Sequence, residues 1–391
     1  MTITTHEREC TKGSTLFMAM ELGKREWLLG FSTGPGQRIR RRTITTSEWA
    51  RMPNEIAAAK ERLGLPAVAP VVSCYEAGPD GFWVHRYLTT LGVENRIVDS
   101  SSIEVTRRAR RAKTDRLDVQ KLLRLLIRYR GGERDALRVV RVPDEAAEHR
   151  RHWDRELLTL RRDRTRVTNR ITGLLATQGV RVKVRADFPT RLARLRTWNG
   201  APLAPELRAR LEREWQKVAL LTTQITEMRQ ARRRVLRQAP DAALEPVRRL
   251  MRLRGIGENG AWLLGLELFA PWRALRNRRE VGGLTGLVGT PYTSGTLEHD
   301  QGISHAGNAA VRAIAIELAW CWLQYQPQSA LAQWYRARFA RGGRVAQKIG
   351  IVALARRLMI DLWRYVEHGV LPAGAELKSA PRHPTRGRVA A

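Results

Sequence analysis

Residues 71–78 read Val71-Val72-Ser73-Cys74-Tyr75-Glu76-Ala77-Gly78, an apolar and β-prone run that ends in a carboxylate. A short apolar run bounded by turn residues is typical of a strand buried inside a sheet. Sheets of α/β proteins bind their ligands at the carboxyl ends of the strands. Glu76 is therefore the first candidate for a functional residue.

Strand and helix patterns alternate on both sides of this run. The predicted strands are Thr15–Leu22, Glu26–Phe31, Arg38–Thr45, Ala67–Tyr75 and Arg96–Val98. The predicted helices are Ser47–Leu63, Phe82–Leu91 and Thr114–Tyr129. The order βββαβαβα is that of a ribonuclease-H-like domain, which we assign to residues 14–143. The expected fold class is α/β at the N-terminus, followed by α.

Residues 144–246 lose the strand signal and predict long helices. Apolar positions spaced three and four apart predict a heptad seam, interrupted by Arg164, on two successive helices. The seam residues are Trp153, Leu157, Leu160, Arg164, Val167, Ile171 and Leu174, then Leu211, Trp215, Val218, Thr222 and Ile225. The helices can form an antiparallel hairpin within one chain or join two chains. We expect a homo-oligomer, a dimer or a tetramer.

Residues 247–370 form a third, mainly helical region. It opens with Gly255-Ile256-Gly257, which resembles a helix-hairpin-helix element whose Gly255 and Gly257 let backbone amides approach a phosphate. An ordinary turn between helices is the alternative. Residues 371–391 are basic and proline-containing, which predicts a disordered tail.

The charge of the chain predicts a polyanionic partner. The 391 residues include 70 Lys plus Arg against 38 Asp plus Glu, a formal charge of +32. No apolar run approaches the roughly 18 residues of a spanning helix, so nucleic acid is favoured over membrane. The charged N-terminus is unlike a signal peptide, and three scattered cysteines suggest neither disulfides nor a zinc site. We expect a cytoplasmic, nucleoid-associated protein.

Three further acids join Glu76 as candidate metal ligands. Asp115 and Asp118 lie three residues apart at a predicted helix start, so they share one face. Glu21 closes the first predicted strand. Divalent cations that act on phosphodiesters need carboxylates converging from several elements. The alternative for the two aspartates is stabilisation of the helix dipole, and for Glu21 an edge-strand charge.

The order Glu21, Glu76, Asp115, Asp118 and the phrase Lys113-Thr114-Asp115-Arg116-Leu117-Asp118 resemble DEDD-type insertion-sequence transposases with a RuvC-like catalytic domain. The stretches Leu284–Pro291 and Gly302–Asn308 resemble their C-terminal transposase domain. The resemblance extends from about Thr15 to Glu367. The family usually has Asp as its first acid, whereas this sequence has Glu21.

The resemblance implies a mechanism and partners. The four acids would bind Mg²⁺, or Mn²⁺, and a C-terminal serine would attack DNA and hold it as a phosphoserine ester. The matching position is Ser294, with Ser304 as the second candidate. Double-stranded donor and target DNA would be the substrates, and a structured RNA from the same element would guide their choice.

Basic residues beside the acidic pair predict contacts with nucleic acid. The predicted contact residues are Arg107, Arg108, Arg110, Arg111 and Lys113, together with Gly255, Gly257, Asn308 and Arg312. Two alternatives stay open. One is a Holliday-junction-type endonuclease that uses the same acids with water as nucleophile, and the other is a non-catalytic nucleic-acid-binding remnant.

Overall fold

The computed structural model describes residues 15–78, 80–103, 115–238, 241–294 and 297–378. The chain forms two compact units, residues 1–142 and 143–391. The second unit holds both the helical region and the C-terminal region that the sequence separates. In the described ranges, no helix is long and apolar enough to cross a membrane.

Unit 1 is built on a five-stranded sheet. Its strands are β1 (Leu16–Leu22), β2 (Glu26–Ser32), β3 (Arg40–Thr45), β4 (Val71–Glu76) and β5 (Glu94–Val98), in the spatial order β3-β2-β1-β4-β5. Strand β2 is antiparallel to β1 and β3, whereas β1, β4 and β5 are parallel. The helices are α1 (Met52–Arg62), α2 (Trp83–Thr90) and α3 (Asp115–Arg130). The predicted order βββαβαβα is confirmed.

The two largest errors in the predicted boundaries of unit 1 have local reasons. Strand β4 begins at Val71 rather than Ala67, because Pro66 and Pro70 lack the N–H that a ladder needs. The helix predicted from Ser47 begins as a 3₁₀ helix, Thr46–Arg51, and becomes α-helical at Met52.

The strands alternate their side chains between two cores. On one face Leu16, Met18 and Met20 pack with residues of α1 and α2. On the other face Phe17 and Ala19 pack with residues of α3. This alternation follows from the two-residue period of a strand, and it decides which face carries the acids at the strand ends.

Unit 2 opens with α4 (Glu145–Ala176), the short helix α5 (Phe188–Leu192) and α6 (Pro205–Arg237). Ion pairs join Arg170 to Glu214 and Arg232 to Asp154, so α4 and α6 run antiparallel and the predicted hairpin is confirmed. Its seam drifts from the predicted heptads, since Leu175 rather than Leu174 is buried and Thr222 is exposed. A straight helix has 3.6 rather than 3.5 residues per turn, which produces this drift.

The rest of unit 2 packs helices around one large core. It contains α7 (Glu245–Arg252), α8 (Glu258–Leu263), a π-helical turn (Leu264–Leu268), α9 (Arg278–Thr285), α10 (Ala309–Tyr325), α11 (Ala330–Phe339) and α12 (Arg344–His368). The glycine-rich stretch between α9 and α10 forms an antiparallel hairpin of β6 (Gly289–Ser294) and β7 (Leu297–Ile303).

The predicted tail starts too early. Leu377 forms a β-bridge with Leu253, and Lys378 Nζ donates to the carbonyl oxygens of Met251 and Ile256 at 2.7 Å each. Residues 371–378 therefore belong to the folded unit, and they carry no net charge because Glu376 balances Lys378, so the basic composition that predicted a tail does not apply to them. Residues 379–391 lie outside the described part of the chain.

Candidate active site

Glu21 and Glu76 lie on neighbouring strands at the same edge of the sheet. Ala19 pairs with Cys74 and Met20 with Tyr75, so extending this parallel register by one residue places Glu21 beside Glu76. Both are half-buried. Neighbouring strands are about 4.8 Å apart. Carboxylates on the same face of neighbouring strands repel each other, and a cation between them would relieve the repulsion.

Both carboxylates face the side of the sheet that α3 covers. Glu21 continues the series Phe17 and Ala19, and Glu76 continues the series Val72 and Cys74, all of which pack against α3. The Cys74 thiol donates to the carbonyl oxygen of Leu122, 3.7 Å away, and burial raises the pKa of that thiol. Cys74 therefore holds the helix against the sheet and is unsuited to bind a metal.

Helix α3 contributes the aspartates through its first turns. It begins at Asp115, and Val119 packs so closely over Gly30 of β2 that a Cβ at position 30 would overlap it. Asp118 is half-buried and lies one residue before this contact. The side chain of Asp115 lies outside the described residues, as do Arg107, Arg108, Arg110, Arg111 and Lys113.

The donor set suits a hard divalent cation in its chemistry, because it consists of carboxylates from a strand pair and a helix start. Among the described side chains, no three Asp, Glu, His or Cys residues come close enough to hold a metal ion. That set includes Glu21, Glu76 and Asp118 but lacks the fourth predicted ligand. Metal binding therefore stays a prediction.

In unit 2, the predicted contacts Asn308 and Arg312 shape the loop between β7 and α10. The Asn308 side chain caps α10 by accepting from the amides of Ala310 and Val311. Arg312 donates to the carbonyl oxygens of His305 and Ala306 at 3.1 and 3.0 Å. A Cβ at Gly307 would overlap the carbonyl of Leu284. The fold of this loop is enough to explain why Asn308 and Arg312 are present. Their contact with nucleic acid stays a prediction.

The two candidate serines occupy different positions on the hairpin. Ser294 is the last residue of β6 and pairs with Leu297 across the turn, with its side chain outside the described atoms. Ser304 follows β7, and its hydroxyl oxygen accepts from the amide of Ala306 at 3.4 Å. That local bond is typical of a turn serine, which favours Ser294 as the candidate nucleophile.

The glycine turn between α7 and α8 is partly covered. Gly255 has a left-handed φ of +88°, and a Cβ there would lie 3.1 Å from that of Tyr325. Arg254 forms an ion pair with Glu376 of the returning segment. Gly257, which is exposed and precedes α8, is the more accessible of the two glycines.

A basic groove in unit 2 was not predicted from the sequence. Seven of its cationic residues come from α9, α11 and α12, namely Arg278, Arg279, Arg338, Lys348, Arg356, Arg357 and Arg364. The sequence of α12 holds a pattern that could have predicted this groove. Its basic residues recur at helical spacing on the side of the helix that does not enter the core.

Comparisons with known proteins agree on a family. The model of the "Transposase IS116/IS110/IS902 family" matches residues 247–335. The chain is 38% identical to a "Putative transposase y4rJ" of Sinorhizobium fredii over 377 residues, which are 93% of this chain and 95% of the relative. It is 24% identical over 312 residues to the "Transposase for insertion sequence element IS1328" of Yersinia enterocolitica, covering 78% of this chain and 87% of the relative.

Proposed function

The chain belongs to the IS116/IS110/IS902 family of insertion-sequence transposases, and on that premise we propose that it cleaves and rejoins DNA by a metal-dependent, RNA-guided reaction with a phosphoserine intermediate. The observation that carries the metal part is the parallel register of β1 and β4, which brings Glu21 and Glu76 to one edge of the sheet, on the face that the helix starting at Asp115 covers. The strand order of the sheet, and the position of Glu21 and Glu76 at one edge of it, also support the assignment of unit 1 as RuvC-like.

The acids of unit 1 would hold Mg²⁺ or Mn²⁺. Glu21 and Glu76 come from the sheet, whereas Asp115 and Asp118 come from α3, so the site draws on separate elements. When bound, the cation would stabilise the charge that develops on the phosphate oxygens. Because Glu is one methylene longer than the family's usual Asp, Glu21 reaches further from β1 than an aspartate would.

Ser294 would supply the nucleophile. Its Oγ forms a bond to phosphorus while the bond from phosphorus to one sugar oxygen breaks. The serine gives up its proton, and the released sugar oxygen takes one up to become a hydroxyl. Attack of a sugar hydroxyl on the phosphoserine reverses these bond changes and joins the strand to a new partner. No water and no oxidant enters the balance.

A structured RNA would select the donor and target DNA. The support is the charge of +32, which suits more than one polyanion. Cationic side chains contact phosphates, and phosphate contacts carry no sequence information. We therefore assign sequence choice to base pairing and backbone contact to the protein.

The test incubates purified protein with the flanking RNA of its element, labelled donor and target DNA, and Mg²⁺. We expect a covalent protein–DNA adduct in the wild type and its loss in both Ser294→Ala and Asp115→Ala. Ser304→Ala is the matched serine control, and Glu26→Gln, an exposed acid on β2, is the matched acid control. Both controls should retain the adduct.

The alternatives give different results in the same assay. Cleavage without an adduct, unchanged by Ser294→Ala, would show a resolvase-like endonuclease that uses water. Binding with no cleavage under any divalent cation would show a non-catalytic remnant. Omitting the RNA tests guidance separately, since recombination that persists without it contradicts that part of the proposal.

A further inference from the structure

We propose that the basic groove in unit 2 binds an unpaired DNA strand, with its phosphates on the cations of α12 and a base against Trp334. The groove has a volume of about 1170 Å³. This exceeds the roughly 300–1,000 Å³ of sites for small ligands. It lies between α9, α11, α12 and the base of the β6–β7 hairpin, which contributes Gly289 and Ile303.

Helix α12 has two chemically distinct faces. Leu354, Leu358 and Leu362 are buried in the core. The other face lines the groove and places Lys348, Arg356 and Arg364 eight residues apart in turn. At 1.5 Å and 3.6 residues per turn, these three cations are spread over about 24 Å of the helix axis, on a spiral that turns through about 160°. A linear polyanion fits this spread better than a compact ligand does.

The cations of the groove are available to a ligand. Within the described residues, Arg278, Arg338, Lys348 and Arg356 are exposed and form no ion pair. The carboxylate that lines the groove, Asp361, is paired with Arg364 at 3.5 Å. The excess of positive charge therefore faces solvent, and binding a phosphate chain would release its counterions.

The aromatic side chains select an unpaired strand over a duplex. Trp334 and Phe339 are half-buried in the groove, with ring centroids 5.5 Å apart. The guanidinium of Arg357 lies 4.0 Å from the centroid of the Trp334 ring. Bases stack on aromatic rings and guanidinium planes only where they are unpaired. The choice of DNA over RNA rests on the proposed function.

The experiment measures fluorescence anisotropy of a labelled 12-nucleotide DNA strand with the full chain in EDTA, over a range of salt concentrations. We expect the double variant Lys348→Ala/Arg356→Ala to reduce the slope of log affinity against log salt by about 1.4, since each cation contributes about 0.7. Trp334→Ala should weaken binding on the order of 10-fold at an unchanged slope.

The matched control is Arg341→Ala/Arg344→Ala, which removes the same charge from exposed positions next to the groove. An equal loss in this control would overturn the proposal, because binding would then follow net charge alone. Tighter binding of a duplex, or of RNA of the same sequence, would also overturn it. The anisotropy assay in EDTA measures strand binding and does not depend on cleavage. Strand binding without any adduct in Mg²⁺ would therefore refute only the proposed function.

Discussion

At the scale of single residues, His85 links the stability of unit 1 to pH. The buried Ser73 hydroxyl donates to Asn95 Oδ1 at 2.7 Å, and Asn95 Nδ2 lies 3.0 Å from His85 Nδ1. The amide must donate there, so His85 accepts and is neutral. Burial first, and then the charges of Arg86 and Arg96, lower the pKa of His85.

The lowered pKa of His85 makes unit 1 less stable in acid. The unfolded chain, with a histidine pKa of about 6.5, binds a proton before the folded chain does as the pH falls. The contribution of neutral His85 to the free energy of unfolding is therefore present above pH ~6.5 and is lost as the pH falls below it. We expect a lower urea midpoint at pH 5.5 than at pH 7.5, and a smaller difference in His85→Gln. His149→Gln, at an exposed site, should behave as the wild type; an equal change in both variants would contradict the prediction.

At the scale of elements, Glu267 joins α4 to the π-helical turn. It is 2% exposed and accepts from Arg151 Nε at 3.1 Å and from Arg155 Nε at 2.9 Å. Arg151 is itself 8% exposed. Glu267→Ala would leave this guanidinium buried without its carboxylate, and we expect a loss of about 3–5 kcal/mol in the free energy of unfolding.

Urea unfolding of the full chain measures this loss of stability. The control variant is Glu212→Ala, which removes an exposed partner of Arg208 on α6. Surface pairs of this kind contribute about 0.2–1 kcal/mol. Losses of similar size in the two variants would show that water reaches Arg151. The double variant Arg151→Met/Glu267→Leu should recover part of the stability, since it removes the buried pair, and Arg155, whose side chain is half exposed, keeps its contact with water.

The same elements show what the sequence predicts and what it does not. Strand and helix periods located the elements of unit 1, and parallel strands bring Glu21 and Glu76 to one edge. Periodicity carries no information on partners distant in sequence, so it missed Arg151 with Glu267, which are 116 residues apart. It also missed the β6–β7 hairpin, because Gly289, Pro291 and Gly302 interrupt the alternation of a strand.

At the scale of the whole molecule, the proposed acids lie in unit 1 and the proposed nucleophile Ser294 lies in unit 2. A reaction that needs both can draw them from one chain or from two. The oligomer expected from the sequence allows the acids of one chain to act with the serine of another, whereas a monomer must use both from the same chain.

Mixing two inactive proteins tests this. Asp115→Ala retains Ser294, whereas Ser294→Ala retains the acids, so a mixed pair of chains has one intact site if the site is shared. With equal amounts and random pairing, half of the dimers are mixed, and each has one of two sites intact, which gives about a quarter of the wild-type adduct. Sites formed within one chain give none in any mixture. Co-purification of two differently tagged wild-type chains after mixing is the control for exchange of subunits, since complementation can be seen only where mixed assemblies form.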